Sequence, residues 1–233
     1  MKWQDKKAVQ VELDFNSDII RIIVKLIPLR KSPNYRAVFH TGEIFNISPD
    51  LVLKHSLAQG AELTPVEFKK IYKEQRIIDA KQAAHFFAAY KPRTKAEVRK
   101  KMLGKGFDEE IADIAVEFLI NFNLLDDERY AINFLNEKMQ LKGISKFKLE
   151  NELYKRGVHK DLAKKVIAEH FPDEGEREAA MRLAEKKLRS LHSKPPDKRR
   201  DSLIAFLQRQ GFRWDLIKSI IEELFPGDYE ERF

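Results

Sequence analysis

The sequence contains no cysteine. A chain without thiols cannot form disulfides, hold zinc through cysteine or attack a substrate with a thiolate. Long apolar runs are also missing, because the longest one, residues 19–27, is interrupted by Arg21 and Lys25 and is too short to span a bilayer. The first seven residues lack the apolar run of a signal peptide. These absences favour a cytoplasmic protein with no membrane partner.

Charge of both signs is abundant instead. The chain has 44 lysines and arginines against 37 aspartates and glutamates, which gives a net charge of +7. This excess modestly favours an acidic partner such as nucleic acid. It is spread along the chain, with 12 basic and 9 acidic residues in 1–75 and 32 and 28 in 76–233, so no segment is a basic tail.

The first part of the chain has the period-two pattern of β-strands. A first apolar–polar alternation covers 9–15 and a second β-rich run covers 20–26. A third run, 35–40, continues after a Thr-Gly turn into 43–47, which predicts a hairpin.

Two short helices are expected after these strands. Ser48 places a capping hydroxyl before a proline at the first helical position. Thr64 repeats this arrangement, and Glu67 three residues later completes a capping box. Residues 1–75 are therefore predicted to form a small β-rich (α+β) module with two short helices.

From about residue 77 the pattern becomes helical and repeats itself three times. The copies are anchored by Gly106, Gly157 and Gly211, which are 51 and 54 residues apart. Apolar residues recur at fixed distances from these glycines: Val98, Leu149 and Leu203; Met102, Leu153 and Leu207; Phe107, Val158 and Phe212; Ile111, Leu162 and Leu216; Ala115, Val166 and Ile220; Ile120, Phe171 and Phe225.

The recurring positions indicate a helix, a glycine stop and a second helix. The apolar residues eight and four positions before each glycine share one helix face, and the glycine supplies the left-handed residue that ends the helix. The apolar residues after it form the inner face of the next helix. A further helix is predicted at the start of each copy, over 79–90, 128–140 and 176–191.

Each copy is thus a three-helix unit that is too small to bury its apolar face alone. The predicted units are 76–127, 128–175 and 176–233, the last with a C-terminal tail. We therefore expect a mostly α protein in which three tandem three-helix repeats stack into a curved, elongated rod behind the N-terminal module.

Several motifs follow one another in a specific order. They are RTKAEVR at 93–99, KGFDEE at 105–110, LLDDERYA at 124–131, KGIS at 142–145 and ELYKRGV at 152–158. This series resembles the repeats of the RecX family of regulatory proteins over about residues 77–225. The segments GEIFNIS at 42–48 and LAQGAEL at 57–63 resemble the β-rich extension of some members. The first seventeen residues have no counterpart, and Pro195-Pro196 interrupts the third copy.

The resemblance implies a regulator without chemistry of its own. RecX proteins bind in the groove of the RecA–single-stranded-DNA filament and suppress its ATP hydrolysis, strand exchange and co-protease activity, so they act in DNA repair, recombination and the SOS response. Contact with single-stranded DNA would be weak or indirect. A curved array of repeats suits a helical groove. A monomer without cofactor or metal is expected.

Basic residues recur around the middle helix of each unit, and we expect them to meet RecA or DNA phosphates. The alternative is that they form solvated faces of amphipathic helices. The candidate contacts are Arg93, Lys95, Arg99, Lys100, Lys142, Lys146, Lys148, Arg156, Arg199 and Arg200.

The acidic run at 126–128 suggests a metal site or carboxylate catalysis, but no histidine lies at ligand spacing. We expect structural roles: Asp126 and Asp127 lie in the segment 124–131, which resembles the junction between the first and second RecX repeats, and Asp127 caps the following helix. Tyr130 is expected in the core; the alternative is a surface position from which its hydroxyl contacts the partner. Nothing in the sequence favours an enzyme.

Two other functions remain compatible with the sequence. One is a sequence-tolerant DNA-binding protein whose helix pairs read duplex DNA, which predicts tight binding without RecA. The other is a general helical scaffold that is indifferent to RecA. The modest net charge disfavours the first alternative, and the recurring cations disfavour the second.

Overall fold

The structure, a computed structural model, describes residues 18–141, 143–193 and 195–226. It forms two compact units. The first contains the residues up to Ala83 together with Lys105–Ala115, and the second contains Ala84–Gly104 together with the residues from Val116 onward. The described residues form four strands and ten helices. None of these helices combines the length and the apolar character needed to cross a membrane. The strand predicted over 9–15 lies outside the described residues.

The N-terminal module contains an antiparallel sheet with the strand order β3-β2-β1-β4. Strands β2 and β3 form the predicted hairpin, and Gly42 adopts the left-handed conformation in its turn (φ 86°). The strands are β1 Arg21–Pro28, β2 Tyr35–Phe39, β3 Ile44–Ile47 and β4 Glu62–Leu63.

A buried ion pair lies inside this module. Arg21 is only 2% exposed, and its Nε and Nη2 donate to the two carboxylate oxygens of Glu43 at 2.7 and 2.9 Å. The guanidinium also lies 4.3 Å from the ring centre of Phe68, which belongs to the apolar core. Because a buried charge must be paired and hydrogen-bonded, this bidentate contact fixes strand β1 to the hairpin.

The helices follow the predicted series with one exception. They are α1 Pro49–Lys54, α2 Pro65–Tyr90, α3 Lys95–Leu103, α4 Glu109–Asn121, α5 Asp127–Leu141, α6 Lys146–Lys155, α7 Lys160–His170, α8 Asp173–Arg189, α9 Pro196–Arg209 and α10 Trp214–Leu224. The exception is α2, which joins the helix predicted after Thr64 to the one predicted over 79–90. No glycine or proline lies between residues 66 and 90, so nothing interrupts the helix.

The predicted capping boxes are present at α2 and α3. In α3 the Thr94 hydroxyl accepts from the Glu97 N–H at 3.1 Å, and the Glu97 carboxylate accepts from the Thr94 N–H at 3.3 Å. The expectation for Ser48 is wrong, since its hydroxyl has no hydrogen-bond partner among the described residues. Its N–H instead donates to the Gln75 side chain at 2.7 Å, which ties the start of α1 to α2.

The recurring apolar columns form separate cores in the second and third repeats. Leu149 and Leu153 of α6 pack with Val166 of α7 in one core. Leu203 and Leu207 of α9 occupy the matching places in the other. The three anchor glycines have φ between 80° and 84°, which confirms the predicted left-handed helix ends.

Successive middle helices are joined by hydroxyl groups. The Thr94 hydroxyl donates to the carbonyl of Arg156 at 2.6 Å, and the Ser145 hydroxyl donates to the carbonyl of Gln210 at 2.7 Å. In each case the accepting carbonyl belongs to the residue directly before an anchor glycine. The N-terminus of one middle helix therefore rests on the C-terminal end of the next one.

Carboxylates reinforce this contact. The backbone N–H of Lys95 donates to Asp127 at 2.9 Å, and that of Lys146 donates to Glu176 at 2.8 Å. Both acids come from the first helix of the following repeat, and they place negative charge at the positive end of a middle helix. We call this recurring set of hydroxyl and carboxylate contacts the repeat junction.

The repeat junction also requires glycine, because the adjoining helices pack closely there. A Cβ at Gly157 would overlap the Cβ of Ala96, and one at Gly211 would lie 2.7 Å from Cδ1 of Phe147. A Cβ at Gly106 would meet no atom within 4 Å. The three glycines thus share a backbone conformation but differ in the space around them.

We predict that Gly157→Ala destabilises the protein far more than Gly106→Ala. Both substitutions force alanine into the left-handed region, at about 1–2 kcal/mol, but only the first adds a steric overlap and reaches about 2–5 kcal/mol. Urea unfolding followed by circular dichroism measures both losses. Equal losses in the two variants would contradict the close packing of Gly157.

A second prediction concerns pH. Glu74 lies 2.8 Å from Nε2 of His55 and 3.0 Å from Nζ of Lys54, and the hydrogen bond from His55 is the main cause of its lowered pKa. Its charge therefore stabilises the folded state above the ordinary pKa of 4.5, and this contribution is lost as the pH falls through the folded-state pKa.

Glu74→Gln should accordingly be less stable than the wild type at pH 7, by less than about 1 kcal/mol because the pair is partly exposed. The difference should be smaller at pH 3 than at pH 7. Urea midpoints measured at both pH values check this. A difference that stays constant from pH 7 to pH 3 would show that the charge of Glu74 is not responsible.

Candidate binding surface of the repeats

Among the candidate basic residues of the first repeat, Arg93 lies between α2 and α3, and the others lie along α3. Arg93 is half-buried, with its guanidinium carbon 4.0 Å from the ring centre of Phe87. Lys101 approaches the same ring with its ammonium nitrogen at 5.8 Å. Lys95 and Lys100 are exposed, whereas Arg99 is half-buried. Phe87 therefore holds Arg93 in place, and Lys95 and Lys100 face solvent.

The basic residues of the second repeat contact their own chain. Lys146 forms an ion pair with Asp173 on α8, with 2.5 Å between nitrogen and oxygen. Nζ of Lys148 donates to the side chain of Gln210, which precedes the third anchor glycine. Lys142 lies outside the described residues. Part of this predicted cluster is thus engaged in joining the second and third repeats.

Arg199 and Arg200 of the third repeat lie inside α9 and are half-buried. Arg199 is twelve residues before Gly211, as Thr94 and Ser145 are before their anchor glycines. Because Pro195 and Pro196 start this helix earlier, the residue equivalent to those helix caps falls within the helix. The third cluster is consequently placed differently from the other two.

Arg156 belongs to a cleft where the first and second repeats meet. Its Nη1 donates to the Tyr130 hydroxyl at 3.0 Å, and its guanidinium carbon lies 4.8 Å from the ring centre of Phe134. The Tyr130 and Phe134 rings are nearly parallel, at 8°, with centroids 6.4 Å apart. The cleft has a volume of about 280 Å³ and is lined by Lys91, Pro92, Glu97, Tyr130, Asn133, Phe134, Glu137, Lys138 and Arg156.

This Arg156 cleft places three cations and two carboxylates, Glu97 and Glu137, beside flat aromatic surface. Lys91 and Lys138 add two cations, although Lys138 is paired with Glu152 at 2.9 Å. Planar anionic groups, such as carboxylates or nucleotides, suit such a lining. Helical spacing could have placed Phe134 beside Tyr130, since they are four residues apart. The approach of Arg156 could not be read from the sequence.

The acidic run has structural roles, but the helix cap is Asp126 rather than Asp127. The carboxylate of Asp126 accepts from the N–H groups of Glu128 and Arg129 at 2.9 and 3.0 Å, so Asp126 caps α5. Asp127 is the first residue of that helix and reaches back to the Lys95 N–H. Burial is the main reason why the pKa of Asp127 is raised. The prediction that Asp127 is the cap is therefore wrong.

Tyr130 packs against the core of the second repeat but is only partly buried, because its hydroxyl faces Arg156. Within 18–141, 143–193 and 195–226, no group of three or more histidines, aspartates and glutamates could hold a metal ion.

Comparison with known proteins places this architecture in a family. Three sequence models of RecX domains match the chain in order: the first three-helix domain at residues 80–119, the second at 126–167 and the third at 174–221. A crystal structure of regulatory protein RecX superposes with a TM-score of 0.70 at 20% identity, covering 86% of this chain and 98% of that one. RecX from Lactobacillus salivarius gives 0.60 at 24% identity, over 64% of this chain and 96% of that one.

Curated relatives agree with the domain matches. The regulatory protein RecX of Clostridium perfringens (strain SM101) is 31% identical over 209 residues, which cover 88% of this chain and 97% of the relative. That of Clostridium botulinum (strain Eklund 17B) is 32% identical over 77% of this chain and 84% of the relative. The chain described here belongs to the RecX family of regulatory proteins.

Proposed function

We propose that this protein binds the RecA–single-stranded-DNA filament in the cytoplasm and restrains its ATPase, strand-exchange and co-protease activities. The ordered set of three RecX three-helix domains carries the proposal. Membership of a family of regulatory proteins supports a role that needs no catalysis. Such a regulator would act in DNA repair, recombination and the SOS response.

The first repeat supplies the main ionic contacts in this proposal. Lys95 and Lys100 are exposed on α3, whereas Lys146 of the second repeat already has an acidic partner. An exposed lysine can exchange water for a phosphate or a carboxylate of the filament without breaking an internal ion pair. We therefore place the ionic part of the interface on α3.

The Arg156 cleft supports a second point of contact. Its cations and its aromatic pair lie together between the first and second repeats. A carboxylate side chain or a nucleotide could enter beside Arg156 and pair with its guanidinium. Contacts from α3 and from this cleft would engage the filament through two neighbouring repeats.

The decisive measurement is ATP hydrolysis by RecA from the same organism on single-stranded DNA, with this protein added at less than one copy per RecA. We expect inhibition well below equimolar amounts, because a bound regulator acts on the filament rather than on one subunit. No inhibition, with no binding to the filament, would overturn the proposal. Tight duplex binding without RecA would instead favour the DNA-binding alternative.

Two matched pairs of substitutions locate the ionic contacts. Lys95→Gln with Lys100→Gln should raise the concentration needed for half-inhibition several-fold, about 0.5–1 kcal/mol for each cation, and should weaken its salt dependence. Lys160→Gln with Lys164→Gln removes the same charge from exposed positions on α7 and should leave inhibition unchanged. Equal effects of the two pairs would exclude a specific role for α3.

A further inference from the structure

Two aromatic side chains at the end of α2 are almost entirely exposed. Phe86 is 76% and Tyr90 is 86% accessible to solvent. They are four residues apart, so they lie on one face of the helix, about 6 Å apart along its axis. Single exposed apolar residues are common on proteins, but a pair of large rings on one face marks an interaction surface.

The net positive charge of the protein is concentrated in the stretch of sequence that contains this pair. Between Ala80 and Phe107 there are eight lysines and arginines and one acid, Glu97, which leaves 36 basic and 36 acidic residues in the rest of the chain. Glu97 is itself engaged in the capping box of α3. The next segment, 108–128, has eight acids and no lysine or arginine. The net charge of +7 therefore belongs to the segment that carries the exposed rings.

The next ring in the sequence shows how the surface is ordered. Phe87 contacts Arg93 and Lys101, whereas its neighbour Phe86 is exposed. Phe87 thus fixes two cations, while the ring directly before it in the sequence is exposed. Lys91, directly after Tyr90, lines the Arg156 cleft.

We propose that Phe86 and Tyr90 form a base-stacking platform for single-stranded nucleic acid, with Lys91, Lys95 and Lys100 contacting the phosphates. Aromatic rings beside a positive surface are how proteins hold unpaired strands without reading their sequence. A protein partner could also cover two rings, but the excess of lysine and arginine in their segment of the sequence fits a polyanion better. This inference rests on the proposed function, since the filament contains such a strand.

The platform is tested without RecA, by the fluorescence anisotropy of a labelled oligothymidine of about 20 nucleotides at low salt. Phe86→Ala with Tyr90→Ala should weaken binding at least about tenfold while leaving the salt dependence unchanged, since the phosphate contacts remain. Tyr90→Phe alone should keep nearly full affinity because it retains the ring. Circular dichroism checks that the variants remain folded.

Phe122→Ala is the matched control. Phe122 is also exposed, at 64%, but it lies in the segment without lysine or arginine, so its loss should not change binding. The proposal is overturned if the wild type does not bind the oligonucleotide, or if the double variant and Phe122→Ala bind as it does. It is also overturned if the double variant loses only its effect on RecA, which would identify a protein contact.

The two proposals can fail separately. Oligonucleotide binding by the wild type without any effect on RecA would reject the proposed function and keep the platform. Inhibition of RecA by a double variant that binds DNA normally would reject the platform and keep the proposed function.

Discussion

The repeat junction is the contact on which the helical part of this protein depends. A hydroxyl at the start of one middle helix, Thr94 or Ser145, serves its own helix as a cap and also donates to a carbonyl at the end of the next middle helix. Helix ends leave such groups without internal partners, so joining a beginning to an end satisfies both. The left-handed glycine makes the contact possible, because a Cβ at Gly157 would overlap that of Ala96 and one at Gly211 would press on the Phe147 side chain.

The same junction divides the cations into two kinds. Lys146, Lys148 and Arg156 contact side chains of their own chain, and the contacts of the two lysines join the second repeat to the third. Lys95 and Lys100 remain exposed. Equivalent positions in a repeat protein therefore need not have equivalent roles. A basic residue that the periodicity marks as a binding candidate can be a structural one when the next repeat offers it a partner.

The sequence predicted the features that depend on residues close together in the chain. The anchor glycines and the boxes at Thr64 and Thr94 involve residues only a few positions apart, and the structure confirms them. The sequence did not show that Asp126 rather than Asp127 caps α5, because Asp127 accepts a hydrogen bond from Lys95, 32 positions earlier in the chain. The Arg156 cleft was likewise missed, since it brings together three helices. The exposure of Phe86 and Tyr90 could not be foreseen, because helical spacing alone does not tell which face a neighbouring element covers.

The junction also has an evolutionary consequence, through the residue that replaces its hydroxyl in the third repeat. Arg199 stands where the first two repeats have threonine and serine, and α9 begins behind two prolines. A duplicated copy of the second repeat would bring both a glycine that accepts its predecessor and a hydroxyl that holds its successor. A copy of the third would bring only the glycine. The array therefore needs one junction hydroxyl fewer than it has repeats, since Thr94 and Ser145 join three units.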